Sequence, residues 1–402
     1  MLRLVFSLPT EAGFFVEAQF ARQRTTRLIS GFSLFNPSYH PMPTILETAL
    51  DLIKIPSTAD KPEELQRVVS YVQEFLSTSP GLVIRAYVHN GKPSLVASTI
   101  DTLTPDILMI GHLDVVPASL ALFEPRTQDG KLIGRGACDM KSEDAVMLHV
   151  MRAIAALSHP PSVELMLTTD EEIGGMDGVA YLVNEVGYRC RVALVPDGGE
   201  RPEELVLESK GAMHIRLTTY GKNVHGSVPW EGQNAIEELF SVYERIRQQF
   251  PVNDPTTHWE ATCNLGTIQG GHATNQVPDR AQCTLDIRYP ASVNADELLE
   301  RIKLLVPSGT VEVLITASAS ATPANDPHVQ RYAHLLKEQQ QLDVVHARNH
   351  GGHDGRYVTS LGMPVLVSRP LSGAQHTEEE WVDLQSLERF FELYLGFVQS
   401  FC

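Results

Sequence analysis

The chain has 402 residues, 43% of them hydrophobic, and a formal net charge of -17. That length exceeds one ordinary core and predicts two domains, or one domain carrying a large insertion. The negative charge argues against nucleic acid and against an anionic membrane as partners, because a polyanion is repelled, whereas a bound divalent metal reverses the sign locally.

Residues 1–41 differ from the rest. Their basic residues are Arg3, Arg22, Arg24 and Arg27, with no lysine, and Glu11 and Glu17 argue against a transit peptide. They are expected to form a loosely attached extension, or to precede a true start at Met42. Pro62 to Leu76 then carries Leu65, Val68, Val69, Val72, Phe75 and Leu76 at spacings of three and four, which predicts an amphipathic helix. Short apolar runs follow at Leu82–Ile84, Leu95–Ala97, Ile107–Ile110, Val163–Leu167 and Val192–Val195. Helical patterns lie between some of them, at Ser142–Leu157 and Gly178–Val186. This alternation predicts an α/β domain with a mostly parallel sheet over 42–209 and 319–402.

The middle of the chain changes period. Met213, Ile215 and Leu217 alternate with polar residues, as do Cys283, Leu285, Ile287 and Tyr289. With helices at Asn234–Gln249 and Ala295–Leu305 and strands at Cys263–Gln269 and Val311–Thr316, the order over 210–318 is β-α-β-β-α-β, the ferredoxin-like arrangement. The five cysteines, Cys138, Cys190, Cys263, Cys283 and Cys402, form no CxxC pair. That fits a cytoplasmic, reducing location. No apolar run is long enough to span a bilayer.

Four segments place acids or a histidine just after predicted strands or at turns. In GHLDVVP (111–117), His112 and Asp114 share a face if the strand continues, so the aspartate can hold the second ring nitrogen of a metal-binding histidine. A satisfied core histidine beside an unrelated turn aspartate fits as well. In GRGACDMKSED (134–144), Asp139 precedes the helix that Ser142 is placed to cap, and it also reads as a turn residue. In TTDEEIGG (168–175), consecutive carboxylates at a strand end repel one another unless protonated or facing a cation. Extended neighbours point apart, so Glu171 and Glu172 can take different tasks. In VPDGGE (195–200), Asp197 again sits at a strand tip, where open α/β sheets place their sites. Towards the C-terminus, GAQHTEEEWV (373–382) adds His376. The set His, Asp, Glu, Asp, His suits two zinc ions with one bridging carboxylate, and a further carboxylate can take a proton from the water between them.

Together, GHLDVVP, DGKLIGRGACDMK, TTDEEIGG, VPDGGE and GAQHTEEE resemble the dizinc amidohydrolase and exopeptidase family. Its members include aminoacylase, carboxypeptidase G, cytosolic dipeptidases, acetylornithine deacetylase and succinyl-diaminopimelate desuccinylase. The resemblance covers about residues 43–402. It implies that His112 and Asp197 bind one zinc, that Glu172 and His376 bind the other, and that Asp139 bridges them. Asp114 then orients His112, and Glu171 is the general base. Cobalt or manganese can occupy such ligands as well.

The segment 210–318 corresponds in this resemblance to a lid and dimerisation domain. His225, in GKNVHGSVPWEGQNAIEEL, is implied to reach the partner subunit's site in a homodimer. Asn275 is implied to hydrogen-bond the substrate and Arg288 to grip its carboxylate. Arg356, beside Gly352 in GGHDGRY, is a second carboxylate candidate, since a guanidinium fork matches a carboxylate. A surface salt bridge is the alternative for each arginine. Two departures stand out. His353 occupies a position where the family more often has Thr or Ser, and Asp197 is generally glutamate in the deacylase branches. The aspartate favours peptide substrates and leaves N-acyl amino acids open. The implied reaction is hydrolysis of an amide near a free carboxylate. The alternatives are a biosynthetic deacylase and a non-catalytic metal-binding dimer.

Overall fold

The structure is a computed structural model describing residues 4–6, 43–251 and 259–402. It divides into two compact units, Met1–Tyr188 with Pro370–Cys402, and Arg189–Arg369. The expectation for residues 1–41 lies outside the described residues except for Leu4–Phe6, a strand paired in parallel with Ile84–Ala86.

In the first unit the strands lie in the order Leu4–Phe6, Val83–His89, Lys92–Ser98, Val163–Thr168, Ile107–His112. Ile107–His112 and Val163–Thr168 are buried along their whole length and pair in parallel. Continuous apolar runs of this kind are what a strand covered on both faces requires. Helix Lys141–Ala155 packs between the helices Ile45–Ile53 and Leu384–Gln399. It is buried nearly all round, with Ala145, Val146, Met147, Leu148, Val150, Met151 and Ile154 forming its apolar surface, as a central helix requires. Met140 is its N-cap; Ser142, expected as the cap, lies inside the first turn. A separate antiparallel sheet runs Ser372–Gly373, Trp381–Asp383, Lys131–Ile133, Arg126–Gln128.

In the second unit Val192–Val195 pairs in parallel with Val365–Val367. The segment Gly211–Ala317 forms a four-stranded antiparallel sheet in the order Thr262–Gly270, Arg280–Tyr289, Gly211–Tyr220, Gly309–Ala317. Helices Ala235–Arg247 and Ala295–Leu304 connect its strands, each started by an asparagine cap, Asn234 and Asn294. This is the ferredoxin-like unit that the period-two pattern predicts. Ala235, Leu239, Val242 and Ile246 line one helix face and join Ile215, Leu217, Cys283, Leu285 and Ile287 in a core of its own. Full burial of a side chain such as Leu239 contributes about 2 kcal/mol, which explains why so small a sheet holds its shape.

Candidate metal centre

Two ladders in the first unit gather the site. The parallel register sets His112 opposite Thr168, and the Leu113 N–H continues the pairing to the Thr168 carbonyl at 2.8 Å. His112 therefore emerges beside the acidic loop 170–172. Gly111 just before it has no room for a side chain, since a Cβ would run into the Asp144 carboxylate and come within 2.6 Å of Met147 Cε. In the small antiparallel sheet, Trp381 pairs with Ile133 and Val382 with Leu132. That register brings the loop after Ile133, which carries Asp139, next to the loop before Trp381, which carries His376.

The two loops meet at Asp139. Its Oδ1 lies 3.0 Å from His112 Nε2, and its Oδ2 lies 3.0 Å from His376 Nε2. Glu172 Oε1 is 3.5 Å from the same His376 nitrogen. Ligand atoms of His112, Asp139 and Glu172 lie within 4.8 Å of one another. His112 and Asp139 are buried. His376 is exposed and adopts a left-handed backbone, φ 63°, a conformation costing a non-glycine residue on the order of 1 kcal/mol. Burial works against a charge on His112, yet the adjoining carboxylates of Asp114 and Asp139 raise its pKa well above the ordinary value. Hydrogen bonding to Asp139 and Glu172 pushes His376 up to about 10. Both rings thus sit in a strongly negative pocket that favours a positive charge. The oxygen and imidazole donors present, with one carboxylate turned to two separate histidines, fit divalent ions of the zinc type.

Asp114 serves three neighbours. His112 Nδ1 is 3.0 Å from its backbone carbonyl and 3.6 Å from its Oδ1, so the closer hold on the ring is the carbonyl. Its carboxylate accepts the N–H of Glu171 at 3.2 Å and of Glu172 at 3.1 Å. These two acids lie on one 3-10 turn, Glu171–Ile173, instead of the extended chain expected for them. Gathering both amides on one carboxylate bends the backbone there. Asp170 turns away from the pair and accepts the N–H groups of Asp177 and Gly178, closing the loop. Gln375, which precedes His376 in GAQHTEEE and was given no role there, donates to Asp139 Oδ2.

The remaining candidates belong to the second unit. Asp197 is buried and accepts a hydrogen bond from Arg369 Nη2 at 3.1 Å. Arg369 follows the strand Val365–Val367 that pairs with the strand before Asp197, so the parallel register places the two side by side. Arg356 is buried in the short helix Gly355–Thr359, its guanidinium 4.7 Å above the Tyr357 ring. A Cβ on Gly352 would come within 3.2 Å of Arg356 Nη1, so this glycine makes room for the guanidinium. His353 is buried with Nε2 3.1 Å from Ser320 Oγ. His225 and Asn275 are exposed and their loops are sewn together: His225 bridges Gln276, and the Gly226 N–H donates to the Asn275 carbonyl at 2.7 Å. Arg288 pairs with Asp286 at 2.8 Å on the sheet.

Imidazoles and carboxylates gathered in the loops of an α/β fold form a donor set suited to a metal-dependent hydrolase. The chain belongs to peptidase family M20/M25/M40, whose model matches residues 108–400. It is 28% identical over 320 residues to a succinyl-diaminopimelate desuccinylase of Granulibacter bethesdensis, covering 73% of this chain and 82% of that one. It is 26% identical over 298 residues to a probable carboxypeptidase of Aspergillus clavatus, covering 70% and 67%. Among solved structures it shares its fold with aminopeptidase PepT from Bacillus cereus, at TM-score 0.73, 18% identity, and 89% and 98% coverage. The metallo-carboxypeptidase Sso-CP2 from Sulfolobus solfataricus gives TM-score 0.72, 17% identity, and 90% and 99% coverage. The non-catalytic alternative is thereby set aside. Among the described residues, no helix is long and apolar enough to cross a membrane.

Proposed function

We propose that the chain holds two zinc ions and hydrolyses small peptides next to a free carboxylate. The observation that carries this reading is Asp139, whose two oxygens face His112 and His376 at equal distances. In the proposed arrangement His112 and Asp197 would hold one ion and Glu172 and His376 the other, with Asp139 placed to serve both. Cobalt or manganese would satisfy the same donors. When bound, such ions would supply Lewis acidity that acidifies water and polarises the scissile carbonyl.

The protein's own groups do the rest. Glu171 accepts the proton of the attacking water and returns it to the leaving nitrogen as the C–N bond breaks. Asp114 fixes the turn that presents Glu171 and keeps His112 in register. Arg356 and Arg288 bind the substrate carboxylate, and Asn275 hydrogen-bonds its backbone. His225 donates to the developing oxyanion in the site of a second copy, which makes the catalytic form a homodimer built through a lid at 210–318. The exposure of His225 and the tying of its loop to that of Asn275 support this role. Five free cysteines support a cytoplasmic location.

A second reading, deacylation of an N-acyl amino acid, is favoured by the similarity to the Granulibacter desuccinylase. A hydrolysis screen of dipeptides against N-acetyl and N-succinyl amino acids, with zinc supplied, decides between them. Preference for dipeptides is expected; turnover of the N-acyl compounds alone overturns the peptidase reading.

A further inference from the structure

Three glutamates follow His376, and they have different fates. Glu378 and Glu379 are exposed, whereas Glu380 is completely buried. Burying a carboxylate is expensive unless its lone pairs are satisfied. Here they are. Glu380 Oε1 accepts three backbone N–H groups, those of Gly136 at 3.0 Å, Cys138 at 2.9 Å and Asp139 at 3.1 Å. Its Oε2 pairs with the buried Arg135 guanidinium. The Glu380 backbone carbonyl also accepts the Gly134 N–H at 3.2 Å, extending the ladder that pairs Trp381 with Ile133. Gly136 turns its amide inward through a left-handed backbone, φ 92°, and a Cβ there would meet Lys141 Cδ at 2.9 Å.

The geometry points to Glu380 as the residue that positions both metal-binding loops at once. Its carboxylate wraps the backbone of 136–139 into a fixed curve ending at Asp139, while its own main chain lies four residues beyond His376. Both oxygens of its carboxylate are taken up by Arg135 and by three amides, so it sets where Asp139 stands without itself offering a lone pair to an ion. This rests on the two-metal reading above and adds a positioning residue to it. Partners that hold metal ligands in place are commonly worth 10- to 100-fold in metal affinity.

The test is zinc affinity of the full chain, measured by competition with a chromophoric chelator, in the parent, Glu380→Gln and Glu164→Gln. Glu164 is an equally buried glutamate, held by Ser98 and Arg85, and serves as the control for destabilisation alone. Glu380→Gln is expected to bind zinc at least ~10-fold more weakly, with Glu164→Gln binding as the parent does. Amide hydrogen exchange on metal-free protein is expected to show loss of protection at Gly136, Cys138 and Asp139 in Glu380→Gln only. If Glu380→Gln does not fold, Glu380→Asp is read by the same criteria, because its shorter side chain draws the carboxylate back from the amides. Affinity within twofold of the parent, or an equal loss in Glu164→Gln, overturns the positioning role. A parent that takes up no zinc overturns the two-metal reading instead.

Discussion

His376 Nε2 lies 3.0 Å from Asp139 Oδ2, although 237 positions separate the two residues. Because the other Asp139 oxygen faces His112, loss of this one charge should loosen both proposed ions together. Asp139→Asn is expected to keep the fold and to retain less than half of the parent's zinc after dialysis, by elemental analysis. Full retention of both ions would remove Asp139 as the bridge.

Glu171 shares its turn with Glu172 but has a separate task in the proposed reaction. Glu171→Gln preserves the shape and removes the proton acceptor. Turnover is expected to fall ~10²- to 10⁴-fold with zinc content unchanged. Steady-state kinetics beside metal analysis separates this from a ligand, whose replacement lowers both.

Asp114 accepts the amides of Glu171 and Glu172 and also adjoins His112. Asp114→Asn turns one acceptor into a donor facing an N–H. Zinc affinity is expected to drop ~10-fold or more, accompanied by faster hydrogen exchange at 171 and 172. Unaltered exchange there would show that the turn holds itself.

Burial, together with the charges of Arg356 and Arg369, pushes His353 down to about 3. In the unfolded chain the ring takes up its proton near 6.5. Between those values the unfolded state binds a proton that the folded state refuses. The stability contributed by neutral His353 is therefore complete above pH 6.5 and is lost as pH falls towards 3, at about 1.4 kcal/mol per pH unit. Thermal unfolding of metal-free protein from pH 7 to 4 should decline less steeply in His353→Gln than in the parent. Parallel declines would contradict the assignment.

Gly352 gives the Arg356 guanidinium its space. Gly352→Ala should displace it by a few tenths of an ångström. The expected result is a KM raised several-fold at nearly constant kcat, since binding of the substrate carboxylate is disturbed and the proton transfer is not. A drop in kcat alone would place Arg356 elsewhere in the reaction.

The α/β alternation, the ferredoxin-like segment and the acids at strand tips were legible because each follows from a short-range pattern. Apolar runs fix buried strands, and period two fixes the half-exposed sheet. The helices begin where expected within a residue, as with Ala235–Arg247 after its Asn234 cap. The 3-10 turn at Glu171–Ile173 was not legible, because its bend is imposed by Asp114, 57 and 58 positions away. Arg369 gave no signal either, since its pairing with Asp197 depends on which strands lie side by side.

The sequence by itself determined which residue types could bind a metal and that they follow strands. Those facts depend only on chemistry and on neighbours a few positions apart. Which oxygen of Asp139 meets which histidine, and which of three consecutive glutamates goes inside, was decided by the tertiary structure. Strand register alone sets whether Glu380 or its neighbours meet the amides of the Asp139 loop, and a slip of one residue would send a different side chain inward.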